Sequence, residues 1–396
     1  MGESYAGTFI PYIVKHFSVS NPPVNLRKVA IGDGFLGSLA TIRELPVINV
    51  LETYPAIIGY DEDVFNYFRE QNQWKRDLTG RANGTLDPWY GCDLFDEMWD
   101  YAFNFTYPWK NGRVDFYDIP DATNPAPPKD AGPFLNDAAV RAALQAPISK
   151  NWSVHITYPF GSTYDISIGN EHGDPSVEPM AFLTPLFANA SARGISFVFY
   201  SGNDDSDIPH HGTEVVIQNM TFGGIQGFTK KPSTPWFDDT GAFAGIVHQE
   251  RNLTYVLFEG AGHTVPELRP AQALVFLREF VLGDNRNGTV LDDGTVVGGE
   301  NATLATEYMA GGNEVFYGSA ATDGTYSIPS ATIAAWKKFI ATATLEAPTI
   351  TGLTVPAKKP SSSTNGGTAH GPSDLATALL SVIVGIVLSV WVQLGA

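Results

Sequence analysis

The sequence predicts an α/β fold. Three short runs of apolar, β-branched and aromatic residues lie at 26–31, 195–200 and 253–259, and each ends in a loop that contains glycine. An amphipathic segment at 270–282 follows the last run and has the spacing of a helix. Continuous apolar runs are typical of buried strands, and strands that alternate with helices are typical of α/β proteins. We therefore expect ligand sites just beyond the carboxyl ends of these strands.

Helices are predicted elsewhere from apolar spacing and capping residues. The spacing predicts a short helix over 5–17, interrupted at Pro11, and helical patches such as Asp61–Glu70. Asn136–Leu144 is predicted to form a helix with Asn136 as its N-cap.

The composition divides the chain into segments of different character. Aromatic residues, aspartate and proline are concentrated in the segment that we interpret as an insertion. We expect the start of the α/β core (1–40), an inserted cap region (41–130), the rest of the core (131–285), a Gly/Thr-rich extension with little periodicity (286–356), a disordered linker (357–374) and a hydrophobic tail (375–396).

The overall charge excludes one class of partner. The 396 residues include 24 Lys and Arg against 42 Asp and Glu, so the formal net charge is −18. Nucleic-acid phosphates need a basic surface, so we expect no nucleic-acid partner. Apolar residues make up 43% of the chain and charged residues 17%, which indicates a globular protein rather than a disordered one.

Glycosylation sequons indicate the secretory pathway. The pattern Asn-x-Ser/Thr predicts a glycoprotein. It occurs at Asn83, Asn104, Asn151, Asn189, Asn219, Asn252, Asn287 and Asn301. The single cysteine, Cys92, is then either a buried free thiol or one half of a disulfide whose partner is missing from the sequence.

The N-terminus lacks a targeting pattern for the secretory pathway, whereas the C-terminus has one for membrane anchoring. Residues 1–20 have no signal-peptide pattern, which predicts that the upstream part of the natural protein is absent from this sequence. Residues 375–396 are apolar and uncharged, and they follow a polar spacer and the small residues Asn365 and Gly366. This order predicts a glycolipid-anchor signal with attachment at Asn365 or Gly366; a tail-anchor helix is the alternative.

The first candidate for chemistry is Ser4, in the run Gly2–Gly7. A nucleophile elbow needs small residues two positions before and two after the nucleophile, because the turn between strand and helix is sharp. Gly2 and Ala6 meet that need, although the strict pattern has glycine in place of Ala6. An ordinary Gly/Ser loop is the alternative.

The second and third candidates follow the last two predicted strands. Asp205 lies directly after the run 195–200, with Asp204 and Asp207 as rivals, and His263 lies after the run 253–259. We expect His263, flanked by glycine at a strand tip, to be exposed enough to act as a base. The chain order Ser, Asp, His is that of α/β hydrolases. No metal-binding pattern is present, so we expect neither a metal nor another cofactor.

These motifs together resemble a known family. The runs GESYAG, SGNDDS and GAGHTVP, with VAIGDGF at 29–35, resemble the serine carboxypeptidases, most closely the secreted fungal members of this carboxypeptidase Y-like family. The resemblance covers roughly residues 1–283. It implies an α/β-hydrolase fold with an inserted cap.

The resemblance also implies a role for each matching residue. Ser4 is expected as nucleophile, Asp205 as the orienting acid and His263 as general base. Glu3 matches a glutamate that binds the carboxylate of the substrate, a role that needs a protonated acid and implies an acidic pH optimum. The backbone N–H of Tyr5 matches one oxyanion donor.

The family pattern is not matched throughout. The family has an upstream Asn-Gly-Gly-Pro-Gly segment, which supplies a second oxyanion donor, and a strand that leads into the nucleophile; neither is found in this sequence. We therefore expect the polypeptide as written to be poorly folded and inactive, with its N-terminal strands missing, while the intact protein is active.

The expected activity is release of C-terminal amino acids from peptides through an acyl-enzyme. The expected place is the cell surface or the extracellular space, through the glycolipid anchor, with the vacuole as alternative. Two other functions stay open: a non-catalytic glycosylated surface protein derived from the enzyme, and an acyltransferase or esterase on the same scaffold. The sequence does not indicate an oligomeric state.

Overall fold

A computed structural model describes most of the first 343 residues. The described ranges are 1–20, 22–37, 40–79, 93–106, 109–111, 116–121, 131–147, 149–153, 180–306, 314–316 and 325–343. The hydrophobic tail at 375–396, the linker before it, Cys92, Asn83, Asn365 and Gly366 lie outside these ranges.

The strands form one main sheet and two short hairpins. Their bounds are β1 (Gly2–Glu3), β2 (Lys28–Gly32), β3 (Ser196–Gly202), β4 (Thr221–Phe222), β5 (Ile225–Gln226), β6 (Thr234–Phe237), β7 (Phe243–Glu250), β8 (Leu253–Phe258), β9 (Glu314–Phe316) and β10 (Thr325–Ser327). The main sheet has the order β1-β2-β3-β8-β7-β6. Its first four strands are parallel, and β7 and β6 are antiparallel to their neighbours. The carboxyl ends of β1, β2, β3 and β8 therefore meet at one edge of the sheet.

The helices have the following bounds: α1 (Ala6–Ser20), α2 (Val47–Thr53), α3 (Glu62–Thr79), α4 (Leu94–Phe105), α5 (Gly132–Leu135), α6 (Ala138–Ala143), α7 (Met180–Ala192), α8 (His210–Asn219), α9 (Val265–Leu268), α10 (Pro270–Phe276), α11 (Ala302–Thr306) and α12 (Ser330–Ala343). A π-helical turn continues α10 over Leu277–Leu282. The chain divides into two compact units, of which the smaller contains α5, α6 and α12 and the larger contains the main sheet.

The core of the larger unit lies on both faces of the main sheet. Side chains alternate along β3, so Phe197 and Phe199 lie in one cluster of buried residues and Val198 and Tyr200 in the other. The first cluster contains Leu183 and Phe187 of α7 and Val216 and Ile217 of α8. The second contains Val275, Phe276 and Phe280 from α10 and the turn that continues it. A sheet covered by helices on both faces explains why its strands are apolar throughout.

The fold confirms the predicted α/β class and the three predicted strands. The runs at 26–31, 195–200 and 253–259 correspond to β2, β3 and β8, which are adjacent and parallel. The predicted helix at 270–282 is α10 with its π-helical continuation. A helix at 330–343 lies in the extension, where the sequence had indicated little periodicity.

Two local predictions about helices are wrong. Pro11 does not interrupt α1, which continues to Ser20. Pro11 is among the buried residues of α1, and packing of that face offsets the loss of one backbone hydrogen bond. The N-cap of α6 is Asp137 rather than Asn136: the Asp137 carboxylate accepts from the amides of Ala139 and Val140 at 2.9 and 3.1 Å.

Asn136 instead exchanges two hydrogen bonds with the backbone of Trp152, at 3.0 and 2.8 Å. Its amide group supplies both a donor and an acceptor, which suits this pairing. Among the helices that the structure describes, none is both long and apolar enough to cross a lipid bilayer.

Glu250, at the end of β7, is a buried carboxylate with several partners. It accepts from the Thr229 and Lys230 amides, lies 2.9 Å from Nε2 of His248, and pairs with Arg251. Although burial acts to raise it, these hydrogen bonds lower the pKa of Glu250 to about 2. Ionised Glu250 therefore stabilises the folded state fully at pH values above the ordinary pKa of a glutamate, and this stabilisation is lost as the pH falls toward 2.

We expect Glu250→Ala to lower the free energy of unfolding by about 3 kcal/mol, because it removes the acceptor of several hydrogen bonds and leaves buried His248 and half-buried Arg251 without their carboxylate partner. Urea denaturation near pH 7 measures this change. The matched control is Glu300→Ala, which removes an ion pair to Lys230 on the surface. That variant should lose less than about 1 kcal/mol. Equal losses in the two variants would contradict the stabilising role of Glu250.

Candidate active site

Ser4 lies in a sharp turn between β1 and α1, so the expectation that no strand leads into the nucleophile is wrong: Gly2–Glu3 pairs in parallel with β2. Its φ angle is +57°, in the left-handed region that residues with a Cβ rarely adopt. The Ser4 amide donates to the carbonyl of Gly32 at 2.9 Å, and the Ser4 carbonyl accepts from the amides of Gly7 and Phe35 at 2.8 and 3.1 Å. A Cβ on Gly2 would collide with that of Ala6, so the turn needs a small residue there. This is the strained geometry that a nucleophile elbow requires.

The loop after β3 separates the three rival acids. Oδ1 of Asp205 accepts from the amides of Asp207 and Ile208 at 2.8 and 3.2 Å, and Oδ2 lies 2.7 Å from Nδ1 of His263. Asp204 instead accepts from the hydroxyl of Tyr54. Asp207 forms an ion pair with Arg43. The structure therefore brings Asp205 to His263 and directs the other two carboxylates to residues before position 55.

His263 is buried, so the expectation that it is exposed is wrong. Only 3% of its surface is accessible. Its amide donates to the carbonyl of Tyr117 at 2.7 Å, and the ring of Tyr117 lies 4.8 Å from its imidazole. The segment at 116–121 belongs to the predicted cap region, and in this structure it covers the loop that carries His263. Because this contact joins residues far apart in the chain, local sequence could not indicate it.

The environment of His263 favours a basic ring with one nitrogen available. Burial acts against the charged form, but the adjacent Asp205 carboxylate outweighs it and raises the pKa of His263. Nε2 is buried and has no hydrogen-bond partner among the described residues. No hydrogen bond joins Ser4 to His263 in the described part of the chain. Contacts of this kind are often long before substrate binds, so this arrangement is compatible with a nucleophile and base.

Glu3 lies next to Ser4 and is half-buried, with Oε1 fully buried and without a hydrogen-bond partner among the described residues. Burial raises the pKa of Glu3 to about 7, with positive charge on His263 acting in the opposite direction. The carboxyl group is therefore protonated in acidic solution and can donate a hydrogen bond.

Asp33, after β2, is a buried acid that sequence reasoning did not single out as a site residue. None of its surface is accessible, and Oδ1 accepts from the Gly202 amide at 3.0 Å. Burial, followed by the charges of Asp205 and Glu3, raises the pKa of Asp33 well above its ordinary value. The one signal in the sequence was its position: Asp33 directly follows an apolar strand, and the loop of Asp205 also follows one.

The other predicted site residues are distributed as follows. The amide of Tyr5 lies immediately before the first residue of α1 and directly after Ser4. Most described sequons have an exposed asparagine: Asn104, Asn151, Asn189, Asn219, Asn252 and Asn301. Asn287 is half-buried, and its side chain donates to the carbonyl of Pro235 at 3.1 Å.

Comparisons with known proteins give a consistent result. Residues 1–283 match the family model described as serine carboxypeptidase. The probable serine carboxypeptidase CPVL of Dictyostelium discoideum is 29% identical over 293 residues, which cover 71% of this chain and 52% of that protein. The pheromone-processing carboxypeptidase kex1 of Aspergillus fumigatus is 29% identical over 353 residues, which cover 78% of this chain and 51% of that protein. A carboxypeptidase Y homolog of Arthroderma benhamiae is 28% identical over 313 residues, which cover 71% of this chain and 58% of that protein.

A solved structure agrees with the fold. The crystal structure of Kex1(delta)p, a prohormone-processing carboxypeptidase from Saccharomyces cerevisiae, matches with a TM-score of 0.50 and 20% identity. The match covers 70% of this chain and 61% of that one. The chain spans about half the length of the relatives it matches in sequence. Since the family model covers most of the chain, the chain belongs to the serine carboxypeptidase family.

Proposed function

We propose that the protein is a serine-type carboxypeptidase that releases single amino acids from the C-termini of peptides. The observation that carries the proposal is the 2.7 Å hydrogen bond between Asp205 and His263, at the sheet edge where Ser4 occupies its strained turn. Family membership supports the same reaction.

The reaction proceeds through an acyl-enzyme. Ser4 Oγ attacks the carbonyl carbon of the last peptide bond, and Nε2 of His263 accepts the hydroxyl proton. The amide of Tyr5 donates to the oxyanion. The C–N bond then breaks, His263 returns the proton to the leaving amine, and the free amino acid departs. His263 then accepts a proton from water, whose oxygen attacks the acyl carbon; the bond to Ser4 Oγ breaks, His263 returns the proton to Oγ, and the shortened peptide leaves with a new C-terminal carboxylate. Throughout, Asp205 holds Nδ1 protonated and stabilises the charged ring.

Glu3 is proposed to select the free carboxylate of the substrate. A protonated Glu3 donates a hydrogen bond to that carboxylate, whereas an ionised Glu3 repels it. With a pKa of about 7, Glu3 favours activity in acidic solution. The raised pKa of His263 acts in the opposite direction, because the base must be neutral to accept a proton. An acidic optimum therefore requires that the first effect outweigh the second.

Hydrolysis of a matched peptide pair tests the proposed function. The two peptides share one sequence and differ only in a free or an amidated C-terminus. We expect kcat/KM at pH 5 to be about 100-fold greater for the free acid, since the amidated peptide lacks the charged carboxylate that accepts the hydrogen bond of protonated Glu3. Equal turnover would contradict a carboxypeptidase and favour an esterase or acyltransferase on the same scaffold. We propose these activities for the intact protein, so absence of hydrolysis of either peptide by the intact protein would contradict the enzymatic function itself.

The substitution Glu3→Gln tests the role of Glu3 separately. The rate constant kcat/KM depends both on a protonated Glu3 and on a neutral His263, so the parent is compared with Glu3→Gln at each pH. The ratio of the parent kcat/KM to that of Glu3→Gln should fall tenfold for each pH unit above about 7, because Glu3 ionises and glutamine does not. Glu267→Gln is the control, because Glu267 is an exposed acid whose charge also acts on Glu3. A ratio of parent to Glu3→Gln that stays constant above pH 7 would contradict the assignment.

The proposal extends to the place where the enzyme acts. We propose a glycosylated protein of the secretory pathway, held at the cell surface by a glycolipid attached at Asn365 or Gly366, with peptide C-termini as substrates. The sequons support the first part, since six of the asparagines are exposed. The order of small residues, polar spacer and apolar tail supports the second.

A further inference from the structure

Asp33 lies between the backbone contacts that hold the nucleophile turn. The preceding residue, Gly32, accepts the amide of Ser4, and Phe35 donates its amide to the carbonyl of Ser4. Asp33 itself has a φ angle of +38°, a left-handed conformation that aspartate and asparagine adopt more readily than most residues. The turn that contains Asp33 therefore fixes the backbone of Ser4 from one side.

The side chain of Asp33 extends to the neighbouring strand. Oδ1 accepts from the amide of Gly202, the last residue of β3, while the Asp33 amide donates to the carbonyl of Tyr200 at 2.9 Å. Gly202 lies three residues before Asp205. It also packs so closely against the backbone of Ala261 and Gly262 that a Cβ would not fit. Asp33 therefore binds the amide of Gly202, the residue at which the loop of Asp205 contacts the loop of His263.

We propose that Asp33 is a positioning residue, which fixes the loop of Asp205 relative to the nucleophile turn through its hydrogen bond to Gly202. This inference rests on the proposed function. Asp33 does not touch the reacting atoms in this scheme. It acts through Gly202 on the separation and orientation of Ser4, Asp205 and His263, to which the rate is sensitive at the scale of 1 Å.

The Asp33 carboxyl performs this role as a neutral acid. Oδ2 is buried and has no hydrogen-bond partner in the described ranges. The acids whose charges act on Asp33 are Glu3, Asp205 and Asp207, and each opposes its ionisation. An ionised and unpaired carboxylate in this place would be costly. A neutral asparagine has the same shape and retains an oxygen that can accept from Gly202.

Two substitutions of Asp33 give opposite expectations. Asp33→Asn should keep kcat for peptide hydrolysis within about threefold of the parent and leave its pH dependence unchanged. Asp33→Ala should lower kcat by about 100-fold with little change in KM, because it displaces the catalytic loops rather than the substrate site. If the alanine variant does not fold, Asp33→Ser replaces it. The serine hydroxyl is attached to Cβ rather than Cγ, so it is too short to reach the amide of Gly202.

The control separates positioning from stability. Glu250 lies at the end of β7 opposite the start of β8, at the sheet edge away from the catalytic loops. Glu250→Ala should lose stability and keep its kcat. If Asp33→Asn loses as much kcat as Asp33→Ala, or if the folded alanine or serine variant keeps the parent kcat, the positioning role is wrong. Both outcomes are read against an active parent, whereas an inactive parent contradicts the proposed function instead.

Discussion

Replacing Ser4 with alanine is expected to lower kcat for peptide hydrolysis by about 10⁶-fold. The hydroxyl oxygen is the atom that forms the acyl-enzyme, and neither Asp205 nor His263 can substitute for it. The elbow should survive, since its backbone hydrogen bonds to Gly32 and Phe35 do not involve the side chain. Alanine also has a Cβ, so the strain of the positive φ angle is unchanged.

Ser201→Ala is the matched control for Ser4→Ala. Ser201 is another fully buried serine, on β3, and its hydroxyl lies 3.5 Å from that of Thr213. This variant should keep its kcat within about threefold, because a single buried hydroxyl contact contributes about 1 kcal/mol to stability. A fluorophosphonate probe should label the parent and Ser201→Ala but not Ser4→Ala. Labelling or peptide hydrolysis by Ser4→Ala at the parent rate would contradict the nucleophile assignment.

Much of the site could be predicted because strand ends are visible in the sequence. Buried strands at 195–200 and 253–259 produce apolar runs, and in a parallel sheet their carboxyl ends lie at one edge. The polar residues directly after them, Asp205 and His263, could therefore be placed close together without any knowledge of the long-range packing. The structure places their side chains in direct contact.

The rest of the site depends on contacts between distant parts of the chain. Tyr117 covers His263, and Tyr54 binds Asp204, but no local pattern marks either tyrosine. The burial of His263 and the separate partner of Asp204 were therefore not predictable. Asp33 was missed for a related reason: its sequence setting indicated a tight turn, and only its burial beside Glu3 and Asp205 shows that its carboxyl group belongs to the site.

Asp205→Asn is expected to lower kcat by about 10⁴-fold. The carboxylate of Asp205 accepts a hydrogen bond from the protonated Nδ1 of His263 and so leaves Nε2 free to receive the proton of Ser4. The amide group of asparagine can donate to Nδ1 instead, which places the ring proton on Nε2. His263 would then be unable to act as a base, although its position would change little.

Asp204→Asn provides the comparison, because Asp204 directly precedes Asp205 in the same loop and is also buried. Its carboxylate accepts from Tyr54 and makes no hydrogen bond to His263 in the described structure. Its substitution should therefore lower kcat by less than about tenfold, with any loss appearing mainly in stability. Steady-state kinetics on both variants, with the unfolding free energy of each, separates the two carboxylates. Equal losses of kcat would mean that activity depends on the negative charge of both carboxylates rather than on the hydrogen bond from Asp205. That result would contradict the role of Asp205 in fixing the tautomer of His263.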